Sequence, residues 1–355
     1  MNFLRVTLIR VFYAVILLIA VLILNFSLMH MAPGDVADTI AQAAGGIDSE
    51  ALEQIRREYG LDQPFVVQLG RYIGNVLRFD LGYSFFYSDK VTNLILSRLP
   101  ATLLLVITAQ LLALVVGVIL GVFSARKPNG ILSHFVTFLA LFGYSAPVFW
   151  TGLLMLVVFS LLIPVFPVAG MRDVTIEGGF FVQALDIARH MVLPVITLSS
   201  IFLALYSRLA RATMMEVLGS DYVRTAKAKG LTNREVVYKH ALKNSLSPVI
   251  TLAGLQLSAV VSGAVLVETV FSWPGLGTLA FQSILARDTP LILGILFFSA
   301  LVVIVGNLLI DQAQGQVGQQ VADNDHQCRE KQDAKNQRRI ARQDRLECQG
   351  AKAGP

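Results

Sequence analysis

Side chains that commonly carry chemistry are scattered along this sequence and form no recognisable site. The five histidines match no metal-ligand spacing; they are His30, His134, His190, His240 and His326. Both cysteines, Cys328 and Cys348, lie near the C-terminus, so the body of the chain has neither a disulfide framework nor a cysteine-based metal site. The sequence contains no G-x-x-x-x-G-K-[ST] loop, which excludes ATP binding by that route. We therefore expect no catalytic residue, no metal and no cofactor.

Polar side chains within apolar runs are the second group of candidates. Gln110, Gln256 and Glu268 stand inside or beside such runs, where an amide or a carboxylate is costly and is a candidate for lining a transport pathway. For the two glutamines, hydrogen bonding between helices is an equally good interpretation. Glu268 falls at the predicted outer end of a run, where solvation at the membrane interface is favoured over lining a pathway.

The apolar runs decide the class of protein that must position these groups. Hydrophobic residues make up 55% of the 355 residues and charged residues only 15%, against about 25% in ordinary soluble domains. About 20 apolar residues cross the hydrocarbon core as a helix, whereas a transmembrane β-barrel would show short alternating segments. The composition therefore predicts an all-α membrane protein.

Six apolar runs predict six transmembrane helices, at about 9–31, 100–125, 131–166, 191–209, 247–267 and 291–310. The third run is too long for one straight helix, and Pro147 is expected to kink or break it. We expect three parts: a first helix with an extracytoplasmic helical region, a five-helix core and a disordered, glutamine-rich tail that lacks aromatic residues. Their bounds are 1–98, 99–311 and 312–355.

Basic residues set the predicted orientation in the membrane. The segment 208–246 contains eight Lys and Arg residues against three Asp and Glu residues. Each charge would cost about 2.5–3.5 kcal/mol at the centre of a transmembrane helix, so this segment does not span the bilayer. The excess of Lys and Arg in cytoplasmic loops then assigns 208–246 and both chain termini to the cytoplasm.

Residues 221–243, the basic loop, carry signals for a short helix followed by a sharp stop. Ser220 or Asp221 is expected to cap the helix at its start. Gly230 suits the left-handed position that ends it, because glycine has no Cβ.

A second helix is predicted directly after this stop. Thr232 and Glu235 match a capping box, in which each side chain binds the backbone amide of the other residue. A solvated loop that obeys the charge rule would explain the lysines and arginines, but not the order of helix, glycine, capping box and helix. The pattern favours a rigid element that docks on a cytoplasmic partner.

The basic loop resembles the "EAA" loop of the permease subunits of ABC importers. In register, Arg224-Thr225-Ala226 stand in place of E-A-A, and Gly230 is the glycine of the pattern. His240-Ala241-Leu242 occupy the I-x-L portion. The sequence departs from the pattern with Arg for Glu, His for Ile and Lys243 for Pro.

Further stretches resemble the dipeptide, oligopeptide and nickel branch of this family. They are "MAPGD", "YGLDQP", "DLGYSFFYSDKVTNLILSRLPATLLL", "SAPVFW" and "ETVFSWPGLGTLAFQSILARDTPL". The resemblance covers about residues 5–311. The long outer region after the first helix is similar to that of the first, or B-type, of two paired permeases.

This resemblance implies the type I ABC importer permease fold in a bacterial inner membrane. It implies a homologous second permease, two cytoplasmic ATPase subunits and a periplasmic substrate-binding protein as partners, besides membrane lipid and without nucleic acid. The residues implied in ATPase coupling are Asp221, Tyr222, Arg224, Thr225, Ala226, Lys227, Gly230, Leu231, Glu235 and His240. The candidate pathway or gate residues are Gln110, Pro147, Trp150, Gln256, Glu268 and Trp273.

Two points stay open at the level of the sequence. The first is the cargo, since dipeptides, oligopeptides, nickel and glutathione are all carried by members of this family. The second is Trp273, which stands where a tryptophan usually anchors a helix at the membrane interface, although the resemblance implies a gating loop. A stand-alone secondary transporter or channel is the alternative function, but inverted repeats and buried charges on several helices are not evident. A membrane scaffold that recruits a partner through the basic loop is a third possibility.

Overall fold

Helices form most of the chain that the computed structural model describes, which comprises residues 3–31, 37, 49–58, 60–173, 175–176, 178–228, 230, 232 and 235–308. The chain divides into two units, Met1–Asn307 and Leu308–Pro355. The predicted tail over 312–355 lies outside the described residues.

The elements follow one another in a simple order. They are α1 (Phe3–Met31), α2 (Ser49–Glu58), α3 (Phe65–Leu77), β1 (Tyr83–Ser84), β2 (Asp89–Lys90), α4 (Val91–Arg126), α5 (Ile131–Ser145), α6 (Val148–Leu156) with a π-helical turn (Val157–Leu162), α7 (Phe180–Gly219), α8 (Asp221–Ala228), a second π-helical turn (Val236–Ala241), α9 (Leu242–Leu255), α10 (Leu257–Val270), α11 (Leu276–Leu285) and α12 (Thr289–Leu308).

Four of these helices are long and apolar enough to cross a membrane. They are α1 over Leu8–Met31, α4, α7 and α12. The pair α9 and α10 passes the same test as one span that is bent by 59°. The predicted class, an all-α membrane protein, is confirmed, while the count of six spans stays a prediction.

The third and fifth predicted spans are both interrupted. Helix α5 ends at Ser145, and Pro147 precedes α6 with φ −59° and ψ 136°, so the predicted break at this proline is confirmed. The fifth predicted span, 247–267, is not one continuous helix, because the backbone of Gln256 turns to ψ −4°. An α-helix needs a ψ near −42°, so the axis changes direction there.

Two helices begin earlier than the apolar runs predicted. Helix α4 starts at Val91 instead of Pro100, and α7 starts at Phe180 instead of residue 191. The side chains of Val91 and Ile95 are fully buried, and this packing outweighs the cost of one proline inside a helix. The predicted boundary between residues 98 and 99 therefore falls within α4.

Helices α4 and α7 approach each other closely in the helical core. A Cβ on Gly121 would lie 2.6 Å from the carbonyl oxygen of Ser207 and 2.7 Å from the Cβ of Ala210. A Cβ on Gly117 would lie 3.0 Å from the Cβ of Tyr206. Small residues at this spacing let two backbones approach, as is common between membrane helices.

The hairpin of β1 and β2 is fastened to the start of α12. Tyr83 pairs with Lys90 in the antiparallel ladder. The hydroxyl of Ser84 donates a hydrogen bond to the carboxylate of Asp288, which is buried. The hydroxyl of Tyr87 donates to Oε1 of Gln282 at 3.0 Å. The region after α1 is thus packed on the same body as the transmembrane helices.

Candidate functional site

The first helix of the basic loop, α8, begins directly after α7. Ser220 separates them with an extended backbone, ψ 154°. Its hydroxyl donates back to the carbonyl of Val217 at 2.5 Å, so the predicted capping of α8 by the Ser220 side chain is wrong. Asp221 is the first helical residue, and its Oδ1 lies 3.7 Å from Nη1 of Arg224. Both side chains are exposed, so this ion pair adds little stability, although an acidic group suits the start of a helix.

The sharp corner after α8 has the predicted geometry. Gly230 has φ +81°, and no atom of the residues that the structure describes lies within 4 Å of the position that a Cβ would occupy. Glycine is therefore required by the backbone conformation and not by lack of space. Thr232 N–H donates to Oε2 of Glu235 at 3.0 Å, and Glu235 N–H donates to Oγ1 of Thr232 at 3.3 Å. The predicted capping box is confirmed.

Buried side chains hold this corner against the rest of the protein. Val223 of α8 and Val236 of the following turn are both fully buried and belong to one apolar cluster. Ala241 and Met214 belong to a second cluster, which includes Val122 near the end of α4. The basic loop therefore contacts α4 and α7 through apolar packing.

The coupling candidates whose side chains the structure describes are polar and exposed. Arg224, Thr225 and Glu235 are exposed, and the hydroxyl of Thr225 donates to the carbonyl of Asp221 at 2.9 Å. Four further candidates lie in helical backbone, but their side chains lie outside the description; they are Tyr222, Ala226, Lys227 and His240. Leu231 lies outside the described residues altogether. The role of all these residues in ATPase coupling stays a prediction.

Glu268 of α10 forms a buried junction with α4 and α11. Its carboxylate is fully buried and accepts hydrogen bonds from the hydroxyl of Thr102 at 2.6 Å, Gly277 N–H at 2.6 Å and Thr278 N–H at 3.1 Å. The Thr102 oxygen also accepts from Leu276 N–H at 2.7 Å. We call the group formed by Glu268, Thr102, Leu276, Gly277 and Thr278 the Glu268 junction. A carboxylate that accepts hydrogen bonds from the first backbone N–H groups of α11 stabilises the start of that helix.

The interpretation of Glu268 as a group solvated at the membrane interface is wrong. The chain after α10 folds back over the carboxylate and supplies donors in place of water. Glycines make this possible, because a Cβ on Gly275 would clash with the carboxylate and one on Gly277 would lie 2.8 Å from Oε2.

Trp273 is buried in the same region. Its side chain is fully buried, and the indole Nε1–H donates to the carbonyl of Ala101 at 2.9 Å. The hydroxyl of Thr278 donates to the carbonyl of Trp273 at 2.9 Å. The prediction of an anchor at the membrane interface is therefore wrong, because the fold places the indole between α4 and α10.

The remaining candidates lie in other contacts. Nε2 of Gln110 donates to the hydroxyl of Tyr206 at 2.8 Å and to the carbonyl of Ala253 at 3.0 Å, which confirms its hydrogen bonding between helices. Gln256 is half-buried at the bend between α9 and α10. Trp150 is 43% exposed on α6. A role of these residues in a pathway or gate stays a prediction.

Sequence reasoning missed the partners of the buried carboxylates. Thr102 is one of many small hydroxyl residues in apolar runs, and nothing in the sequence distinguishes it. Ser84 and Asp288 were missed for the same reason, since they are 204 residues apart.

Two family models match the chain. The model described as binding-protein-dependent transport system inner membrane component matches residues 117–323, and a model for the N-terminal part of such membrane components matches residues 3–106. The structure of the MetNI methionine ABC transporter in an inward-facing conformation is similar to the chain with a TM-score of 0.49 and 16% identity, over 63% of this chain and 96% of that chain.

Curated relatives are similar over most of their length. The oligopeptide transport system permease protein AppB of Bacillus subtilis is 37% identical over 303 residues. The dipeptide transport system permease protein DppB of Escherichia coli K12 is 38% identical over 320 residues. In both cases the match covers 85% of this chain and 94% of the relative. With its apolar helices and these matches, the chain belongs to the family of multi-pass inner membrane components of binding-protein-dependent ABC transport systems.

Proposed function

We propose that the chain is the transmembrane subunit of an ATP-driven importer that carries di- or oligopeptides across the bacterial inner membrane. Family membership supports the importer role, and the names of AppB and DppB support peptides as cargo. The chain would provide part of the pathway together with a second, homologous permease. Two cytoplasmic ATPase subunits would hydrolyse ATP, and a periplasmic binding protein would deliver the cargo.

The basic loop is the proposed contact with an ATPase subunit, and both chain termini would lie on its side of the membrane. The observation that carries this proposal is the corner formed by Gly230 and the capping box of Thr232 and Glu235. A short helix held at a fixed angle can transmit a displacement, whereas a flexible loop would absorb it. The packing of Val223 against Val236 would pass that displacement to the membrane helices.

The test measures ATP hydrolysis and peptide uptake by the complete importer in proteoliposomes. Glu235→Ala removes the acceptor of the capping box, so we expect uptake per ATP hydrolysed to fall while the protein still inserts into the membrane. Glu235→Gln keeps an acceptor and should retain most of the coupling. Glu216→Ala, on the exposed part of α7, removes the same charge without touching the box. Equal uptake per ATP in all three variants would contradict the proposed coupling role.

Cargo and independence from ATP are tested separately. Labelled dipeptides and longer peptides are compared with nickel in uptake by the complete importer, and accumulation of nickel alone would contradict peptide transport. The alternative, a stand-alone secondary transporter or channel, requires uptake by this chain alone in proteoliposomes without ATPase subunits. We expect no uptake in that preparation.

A further inference from the structure

A cavity of about 640 Å³ lies among α1, α2, α3, the hairpin and α12, away from the basic loop and from the Glu268 junction. Its lining includes Met29 and His30 in the last turn of α1, and Thr289 and Pro290 in the first turn of α12. These turns are the ends of two apolar helices that are long enough to span a membrane. The cavity therefore lies at the boundary between the hydrocarbon core and the headgroup region.

The lining side chains that can carry a charge near neutral pH are all basic. Among the lining residues that the structure describes they are His30, Arg56 and Arg71, and no carboxylate is included. Arg71 forms neither a hydrogen bond nor an ion pair with the described part of the chain. Its guanidinium packs over Gly60, where a Cβ would clash with Nη1. The cavity thus presents a positioned cation that lacks a counterion within the described residues.

A second donor without a partner lies on the same helix. Tyr72 lines the cavity, and its hydroxyl is buried without a hydrogen-bond partner among the described residues. Burial raises the pKa of Tyr72 to about 12, so the hydroxyl is protonated and can donate at neutral pH. A buried donor without an acceptor costs free energy, and an acceptor bound in the cavity would remove that cost.

The other side chains of the lining are mostly apolar or aromatic; the polar ones among them are Gln68, Asn75 and Thr289. The ring of Phe26 stacks on that of Tyr72 at 5.2 Å and on that of His30 at 5.8 Å. Leu81 and Leu293 line the cavity beside them. A small hydrophilic anion gains nothing from the apolar part of this lining, whereas an anion attached to an apolar body would bury that body against it.

We propose that this cavity binds the phosphate-bearing headgroup of an anionic membrane lipid. The phosphate oxygens would accept hydrogen bonds from Arg71 and Tyr72, since a guanidinium binds phosphate through parallel N–H donors. The glycerol backbone and the first acyl carbons would contact the apolar wall at Phe26. This proposal is independent of the cargo and of the ATPase contact.

The test measures lipid retention by the full-length chain in its complete importer, purified in detergent and analysed by native mass spectrometry. Phosphatidylglycerol is the anionic probe and phosphatidylcholine the zwitterionic one. We expect selective retention of phosphatidylglycerol, which falls at least about tenfold in Arg71→Gln because a hydrogen bond to a charged group is lost. Arg71→Lys should retain part of the binding, and Tyr72→Phe should reduce it by a smaller factor.

Arg78→Gln is the matched control, because Arg78 lies at the end of the same helix and does not line the cavity. An equal loss in Arg78→Gln would indicate general attraction to basic charge and would overturn the proposal. So would unchanged retention in Arg71→Gln when the variant melts at the wild-type temperature. Displacement of the lipid by millimolar inorganic phosphate would assign the cavity to a soluble anion instead and would also overturn it.

Discussion

The carboxylate of Glu268 and the hydroxyl of Thr102 are joined by a hydrogen bond of 2.6 Å, which links α10 to α4 across 166 residues of sequence. The same carboxylate accepts hydrogen bonds from two backbone N–H groups of α11. One side chain therefore fastens three helices, and all of its described partners are donors. This makes the contact a sensitive point for mutation.

Glu268→Leu should destabilise the protein. The change leaves the Thr102 hydroxyl and two backbone amides without an acceptor, and each unsatisfied buried donor costs about 1–3 kcal/mol. Glu268→Gln keeps one acceptor oxygen and should have a smaller effect. The measurement is the apparent melting temperature of the complete importer in detergent. Equal melting of the wild type and Glu268→Leu would contradict the role of this contact.

Gly121→Ala should weaken the contact between α4 and α7. The added methyl group would lie 2.6 Å from the Ser207 carbonyl oxygen, and overpacking of this kind costs about 1–3 kcal/mol. Gly74→Ala is the control, because no atom of the described residues lies within 4 Å of its Cβ position. Alanine there should be neutral or stabilising by up to about 1 kcal/mol, since it favours the helix over glycine. Thermal unfolding of both variants distinguishes the two environments, and equal shifts would refute the close approach.

Gly230→Ala should affect coupling through its backbone. The position has φ +81°, and a non-glycine residue in a left-handed conformation costs about 1–2 kcal/mol. Gly230→Asn should be tolerated better, because asparagine adopts this conformation more readily. The ratio of peptide uptake to ATP hydrolysis is the measured quantity. If alanine and asparagine gave identical ratios to glycine, the conformation of this corner would be irrelevant to coupling.

The contribution of Asp288 to the stability of the protein should depend on pH. Burial raises the pKa of its carboxyl above the ordinary value of 3.8. A raised pKa means that the folded state binds the proton more tightly than the unfolded state. The contribution of this group is therefore most favourable below pH 3.8 and is lost as pH rises through the folded-state pKa.

This prediction is checked with the difference in melting temperature between the wild type and Asp288→Asn. From pH 4 upward the wild type should lose stability relative to the variant, until the difference becomes constant. Asp62→Asn, at an exposed position, should show no comparable trend. A difference that stays flat over the whole range for Asp288→Asn would contradict the prediction.

The sequence was most informative where a structural rule acts over a few residues. Gly230, Thr232 and Glu235 lie within six positions, and helix-stop and capping rules operate at that range. The break at Pro147 was predictable for the same reason, since proline restricts its own backbone and that of the preceding residue.

Contacts between distant residues were not predictable in this way. Thr102 and Glu268 are 166 residues apart, and nothing in either local sequence indicates the other. Trp273 was placed at the membrane interface because tryptophan is common there. In the fold, its indole is buried and donates a hydrogen bond to the carbonyl of Ala101. The early starts of α4 and α7 were missed because hydropathy marks the apolar part of a helix and not its full length.

The bend at Gln256 determines how a displacement of α9 reaches α10. Because the helix axis bends by 59° there, a push along α9 reaches α10 mainly as a lateral displacement and only partly as a movement along its axis. The C-terminal end of α10 carries Glu268, which is hydrogen-bonded to α4 and α11. In the proposed coupling, a short displacement of the basic loop along α9 would therefore tilt the end of α10 that carries Glu268 instead of moving it along its axis.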